Sequence, residues 1–317
     1  MLVLSLRSPA RSEPVEKAFE VDAPAKLNFY LHVLGRRSTG YHDLSSLVGF
    51  VDVGDTVRVE PSSEFQFFVD GPMADPELGT RDNLCVRAAH ALANALGRSA
   101  NFSLTLTKRL PVASGIGGGS ADAAATLRLL MHMWQADISR ADMDALALSL
   151  GADVPVCLAG VAAEMYGIGE VLHPVEPLPP VSVVLVNPGV CVSTAEIFRG
   201  WNGPGPEVPS WTHAETSTML AASLMKRRND LTEVAKAQAP VIGEVLSVLT
   251  ARPECLLARM SGSGATCFGL FHDFSVADAA ADVLQVTHPH WWVRAARTLD
   301  VPPPIREVAI PSKSPVI

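Results

Sequence analysis

The chain has 317 residues, 48% of them hydrophobic and 18% charged, with a formal net charge of −8. That length and apolar content suffice for a large core divided over two domains. The acidic balance argues against nucleic acid or a membrane surface as a partner, since both call for a net basic face. The opening MLVLSL is shorter than a signal-peptide core, and no run of roughly 18 apolar residues follows, so the expectation is a cytoplasmic protein. The cysteines are odd in number and contain no CxxC pair, which points to buried free thiols rather than disulfides or a zinc site.

Residues 1–18 show no periodicity and read as a loose extension, with the fold starting near Phe19. In APAKLNFYLHVLG, Leu27, Phe29, Leu31 and Val33 alternate with Lys26, Asn28, Tyr30 and His32, the pattern of a strand with one core face. Lys26 and Asn28 fall on the other face, where an isolated lysine is ordinarily a solvated charge. Gly40 marks a turn followed by Tyr41 and His42, which alone read as a loop-edge tyrosine and a surface histidine. Two short strands are expected about Gly54 and Asp55, and a third ends in EFQFFVDGP. Asp82 is placed to cap a helix over NLCVRAAHALANALG that Gly97 stops, and FSLTLTK alternates as a half-buried strand.

The next stretch feeds that strand into a helix. Pro111, Val112, Ala113, Ser114, Gly115, Ile116, Gly117, Gly118, Gly119 and Ser120 form a glycine-dense loop, and Ala121 opens an alanine-rich helix. Glycines permit positive φ and let backbone amides approach an anion, while the first helical turn adds unpaired N–H groups and a partial positive charge. This is a phosphate seat. The GxxxxGK pattern is absent, and Asp137, near the spacing of a dinucleotide-site acid, reads as a turn or cap residue. A kinase-type loop outside both families remains.

ISRADMDALALSL is a helix ending at Gly151, and Asp153, two residues before Pro155, reads as a helix N-cap or first-turn acid. VAAEMYGIGEVLHPVE gives two strands, PLPPVS a link between domains, and VSVVLVNPG a buried strand. A short helix starts at Ser193 or Thr194 and carries Phe198 at core-packing spacing from Thr194 and Ala195. After a Gly/Pro loop come two helices broken at Pro240, then strand, glycine turn and strand in LLARMSGSGATCFGLF, a helix over FSVADAAADVLQVTH, a strand over WWVRAART and an irregular tail after Pro302. His288 and His290 lack a third ligand in the neighbouring sequence, so no metal site is expected there.

PAKLNFYLHVLGRRSTGYHDL, PVASGIGGGSADAA and LLARMSGSGATCFGLF, together with LGADVP, resemble in kind and order the motifs of the GHMP kinases. Ile116 and the extra glycine before Ser120 are similar to the branch that acts on a cytidine-diphosphate-linked methylerythritol. The resemblance covers most of residues 19–300. It implies an α+β, two-domain GHMP kinase fold: the extension over 1–18, an ATP-binding N-terminal domain over 19–170 and a substrate-side C-terminal domain over 171–317. It further implies transfer of the ATP γ-phosphoryl group, with Mg²⁺, to the 2-hydroxyl of that alcohol in the non-mevalonate route to isoprenoids.

Carried over by position, the resemblance implies catalytic roles for Lys26 and Asp153, the latter as acid-base. It implies ATP contacts for residues 111–121 and Asn83, and Mg²⁺ near Ser120. Asn28, Tyr41, His42 and Phe198 would meet the substrate, with Tyr41 and Phe198 stacking on cytosine and His42 reading its edge. A cap role explains Asn83 equally well, and core packing stays open for Phe198. The alternatives are a mevalonate- or homoserine-type kinase and a non-catalytic sensor, which need not keep both Lys26 and Asp153. A small-molecule partner is expected, with neither nucleic acid nor membrane; the oligomeric state is not indicated.

Overall fold

A computed structural model describes residues 17–203, 205 and 210–310. The expected extension over 1–18 falls almost wholly outside the described residues, as does part of the Gly/Pro loop. In chain order the elements are β1 (Ala18–Arg36), β2 (His42–Pro61), β3 (Gln66–Asp70), α1 (Leu84–Ala95), β4 (Phe102–Thr107), α2 (Gly118–Trp134), α3 (Arg140–Leu150), α4 (Val154–Ala159), β5 (Ala163–Gly167), β6 (Val171–Pro174), β7 (Ser182–Asn187), α5 (Thr194–Arg199), α6 (Ser217–Met225), α7 (Thr232–Gln238), α8 (Val241–Thr250), β8 (Leu257–Met260), β9 (Cys267–Phe271), α9 (Phe274–Thr287), β10 (Trp292–Leu299) and β11 (Arg306–Val308). A 3-10 turn at Pro76–Gly79 precedes α1. No helix among the described residues is long and apolar enough to cross a membrane.

The sheet runs β11-β1-β2-β10-β7-β9-β8, and β2 also carries β4 and β5. β2 is therefore the hub, paired along different parts of its length with β1, β4, β5 and β10. Helix α2 lies on the β1–β2 surface. Its first turns bury Ala121, Ala123, Ala124 and Ala125, whose short side chains let the helix axis approach the sheet, and Leu127, Leu129 and Leu130 fill the space beyond.

Several sequence expectations are corrected. The two strands about Gly54 and Asp55 are one, because Gly54 is a close-approach position rather than a turn: a Cβ there would stand 2.2 Å from the Ala23 carbonyl oxygen. The α1 cap is Asn83, not Asp82; its side chain accepts from the Cys85 amide at 2.9 Å. The face of β1 bearing Lys26 and Asn28 is not solvated, since elements from both halves of the chain cover the strand and leave these residues 3% and 1% exposed. The tail after Pro302 is not wholly irregular: β11 adds to the edge of β1. α6 lacks the turn signals that would have announced it. β6 and β11, both beyond residue 170, pair into the sheet of the N-terminal half.

Because the atoms facing Gly54 are backbone, Gly54→Ala is expected to destabilise the protein by about 2 kcal/mol or more. Denaturant unfolding checks this; a variant within roughly 0.5 kcal/mol of wild type would show that the β1–β2 approach is not fixed there.

Candidate active site

A cavity of about 950 Å³ opens between the glycine loop, the middle of β1, the β1–β2 hairpin, the start of α4 and helix α5. Sixteen residues were singled out on sequence beyond Ile116 and Ala121, and every one of them lines it: Lys26, Asn28, Tyr41, His42, Asn83, Pro111 to Gly115, Gly117 to Ser120, Asp153 and Phe198. Ile116 is buried in the core, and its carbonyl accepts from the Lys26 amide at 2.9 Å. The Ala121 amide closes the first helical turn on Gly117 at 2.8 Å, so neither residue faces the cavity with a free group. Both amide groups of Asn83 are engaged, one by the Cys85 N–H and the other by the Leu78 carbonyl.

The loop is held from below and from the side. Gly117, at φ +67°, is the N-cap of α2, and a Cβ on it would meet the Lys26 side chain at 3.3 Å. From the other side, the Ser261 hydroxyl donates to the Gly115 carbonyl at 3.0 Å, and the Thr266 amide donates to the Ser114 carbonyl at 3.1 Å. The start of α2 leaves the N–H groups of Gly118, Gly119 and Ser120 without intrahelical acceptors, turned toward the positive end of the helix dipole. Such an array can take a polyphosphate without any cationic side chain.

Beside the loop, the Lys26 ammonium donates to the Asp153 carboxylate at 2.8 Å. Asp153 occupies the N-cap position of α4, but its side chain makes no cap hydrogen bond because it turns to Lys26. The lysine side chain is 4% exposed and the aspartate 34%, so the carboxylate is the partner open to the cavity. Asn28 donates to Ser46 at 2.8 Å while its own Oδ1, buried on the cavity wall, has no acceptor bond to satisfy it. A hydroxyl entering here would find an acceptor in Asn28, a base in Asp153 and a cation in Lys26.

A charge cluster beneath α2 escaped the sequence reading. Lys108 stands between Asp55 and Asp122, all three at most 3% exposed. Asp55 also accepts the backbone N–H groups of Arg109 at 2.6 Å and Leu110 at 2.8 Å, which ties β2 to the segment entering the loop. Burial opposes the Lys108 charge, but the two carboxylates outweigh it and hold the ammonium above the lysine range. Asp122 has one oxygen on Lys108 and the other without a partner; burial pushes it up to about 8, against the pull of Lys108. Nothing in KRLP, GDT or SAD marks these residues as neighbours, because only the fold brings β2, the end of β4 and α2 together.

At the far end, the His42 ring stacks on Phe198 at 5.3 Å and 29° and meets Trp201 edge-on. Burial, then the charge of Arg36, lowers the His42 pKa and keeps the ring neutral at pH 7. Phe198 packs its other side on the C-terminal core, so core packing and cavity lining hold together. Tyr41 is 62% exposed at the lip. Arg36, Arg199, Thr194 and Ser263 also line the cavity. The last two are joined by their hydroxyls at 2.8 Å.

This fold matches a known class. The model of the GHMP kinases N terminal domain matches residues 83–161, and that of the GHMP kinases C terminal domain matches residues 214–288. The chain belongs to the GHMP kinase family. A relative from Cereibacter sphaeroides, named 4-diphosphocytidyl-2-C-methyl-D-erythritol kinase, is 51% identical over 88% of this chain and 98% of its own length. A crystal structure of 4-(cytidine 5'-diphospho)-2C-methyl-D-erythritol kinase superposes with a TM-score of 0.73 at 35% identity, covering 88% of this chain and 99% of that one. A homoserine kinase from Cytophaga hutchinsonii, at 16% identity and a TM-score of 0.65 over 96% of this chain and 100% of its own, shares the fold alone.

Two consequences are measurable. Gly117→Val is expected to weaken ADP binding, read by calorimetry, at least about tenfold, because it forces a branched side chain into a left-handed position against Lys26. Unchanged affinity in a folded variant would remove the loop from the nucleotide site. For Asp122, the folded state holds the proton that the unfolded state releases near pH 4, so its contribution to stability is lost as pH rises toward and through about 8. Asp122→Asn should flatten the fall of a melting-temperature profile between about pH 4 and about pH 8; an unaltered slope there would contradict the assignment.

Proposed function

We propose that the protein transfers the γ-phosphoryl group of ATP to the 2-hydroxyl of 4-(cytidine 5'-diphospho)-2-C-methyl-D-erythritol, a step toward isoprenoid precursors by the non-mevalonate route. The observation that carries this reading is the Lys26–Asp153 pair, standing in one cavity between an amide-lined phosphate loop and an aromatic end fit for a base. The identity of half or more over nearly the full chain to a kinase of that name supports it.

In this reading the loop from Pro111 to Ser120 binds the ATP phosphates through backbone N–H groups. Asp153 accepts the proton of the attacking hydroxyl, and Lys26 orients the carboxylate and offsets the charge that builds on the oxygen. Asn28 Oδ1 accepts a second substrate hydroxyl, which satisfies an otherwise bare buried oxygen. His42 reads the base edge, and Tyr41 and Phe198 stack on its faces, which requires the His42 ring to turn off the face of Phe198 that it covers. Mg²⁺ fits a donor set of nucleotide phosphate and water oxygens plus the Ser120 hydroxyl, which has no partner among the described residues and lines the cavity. That ion would neutralise phosphate charge. A small-alcohol kinase of the homoserine type has no use for the aromatic end, and a sensor has none for the ion pair.

Asp153→Asn is expected to lower kcat about 10²–10⁴-fold with ADP affinity near wild type. A coupled ADP-release assay over a panel of alcohols tests the substrate. Turnover of free mevalonate or homoserine matching that of the cytidine-linked alcohol would defeat the proposal.

A further inference from the structure

The cavity walls carry four cations, and their pairing differs by location. Lys26 is neutralised by Asp153, and Lys108 by Asp55 and Asp122. The remaining two, Arg36 and Arg199, line the end away from the glycine loop, and neither side chain has a hydrogen bond or ion pair to any described residue. Arg36 ends β1 directly across from His42 in the β1–β2 register. Arg199 ends α5, next to Phe198. Since the His42 and Phe198 rings stack on each other, the two arginines adjoin the partners of one aromatic contact, one from each half of the chain. The neighbouring Arg37 shows what a structural arginine looks like here: it is tied to Asp43 at 2.8 Å and faces Glu170 at 3.5 Å.

Arg199 at a helix C-terminus has a favourable dipole whatever its role, but that does not account for Arg36, whose nearest ring, His42, it makes harder to protonate. Both residues are exposed, so their charges are hydrated when the site is empty and no carboxylate among the described residues competes with an anion that enters the cavity. The phosphate loop supplies amides for one polyphosphate only. A diphosphate that bridges a nucleoside and an alcohol carries two negative charges and presents planar oxygen pairs, the geometry guanidinium groups match in bidentate fashion.

We infer that Arg36 and Arg199 form a two-sided clamp for the diphosphate of the nucleoside-diphosphate-linked alcohol, separate from the loop that holds the ATP phosphates. The inference rests on the cytidine-binding reading of this end of the cavity. It makes these arginines binding residues that act on substrate affinity, not on the chemical step.

The test compares CDP with cytidine as ligands of the wild-type protein, Arg36→Ala, Arg199→Ala and the double variant, by calorimetry with ADP saturating the nucleotide loop. CDP is expected to bind wild type more tightly than cytidine, each single variant to lose about tenfold in CDP affinity and the double variant more. Cytidine and ADP affinities should stay within about twofold throughout, as both lack contact with the clamp, and the salt dependence of CDP binding should weaken with each arginine removed. Equal loss of cytidine affinity would make the arginines supports of the aromatic contact, and unchanged CDP affinity in the double variant would leave them solvated; either overturns the clamp. If wild type binds neither cytidine nor CDP, the cytidine slot falls and the clamp with it, whereas a wild type that binds both equally defeats the clamp alone.

Discussion

The backbone contact between Gly115 and the turn at Ser261–Gly264 is the constraint on which the rest of the site depends. A Cβ on Gly115 would lie 2.5 Å from the Ser261 carbonyl oxygen and 2.7 Å from that of Gly264, and one on Gly262 would lie 2.6 Å from the Gly115 carbonyl oxygen. Two loops from opposite ends of the sequence thus touch at a separation that no side chain allows. Ser261 closes the contact by accepting from the Asn28 amide at 3.1 Å while donating to Gly115, so one hydroxyl sets the distance between β1 and the phosphate loop. The spacing of Lys26 on β1 from the glycine loop is therefore fixed by main chain, where thermal excursions are smaller than in side chains.

An acidic protein that handles two polyanions must manage charge locally. Its cavity holds three arrangements: amides and a helix dipole at the glycine loop, a compensated ion pair beside it, and two arginines without a side-chain partner among the described residues at the outer end. The Asp55–Lys108–Asp122 cluster belongs to the first of these. A lone cation beneath a helix N-terminus would be repelled by it; Asp55 offsets the Lys108 charge, and Asp122 completes a cluster that binds three elements together.

The legible parts of the sequence were those with local causes. Glycine density before an alanine run announces a helix N-terminus open to anions, and the structure has that loop and helix. Asp153 was read both as a cap and as a family acid-base; it sits at the cap position and spends its side chain elsewhere, a choice that depends on Lys26 arriving from 127 residues away. Lys26 itself looked like a solvated charge by alternation alone, because burial of both faces of β1 requires helices and strands that a period-two pattern does not report. The same holds for Lys108, whose two acidic partners come from other elements. Phe198 shows the limit differently, since one aromatic ring serves core and cavity at once and periodicity registers only the first.

The hub role of β2 has a bearing on how ligands enter. Strands from both halves of the chain hydrogen-bond to this single continuous strand, which runs unbroken from His42 to Pro61. A rigid-body swing of one half against the other would strain the join of β10 to β2 at Thr298–Val51 and Leu299–Phe50, which opposes wide closure of the two halves over a substrate. Adjustment to ligands is left to the turn between Arg37 and Tyr41 and to side-chain rotamers, and selection among substrates becomes a matter of whether a molecule's length and outline suit a channel already in place.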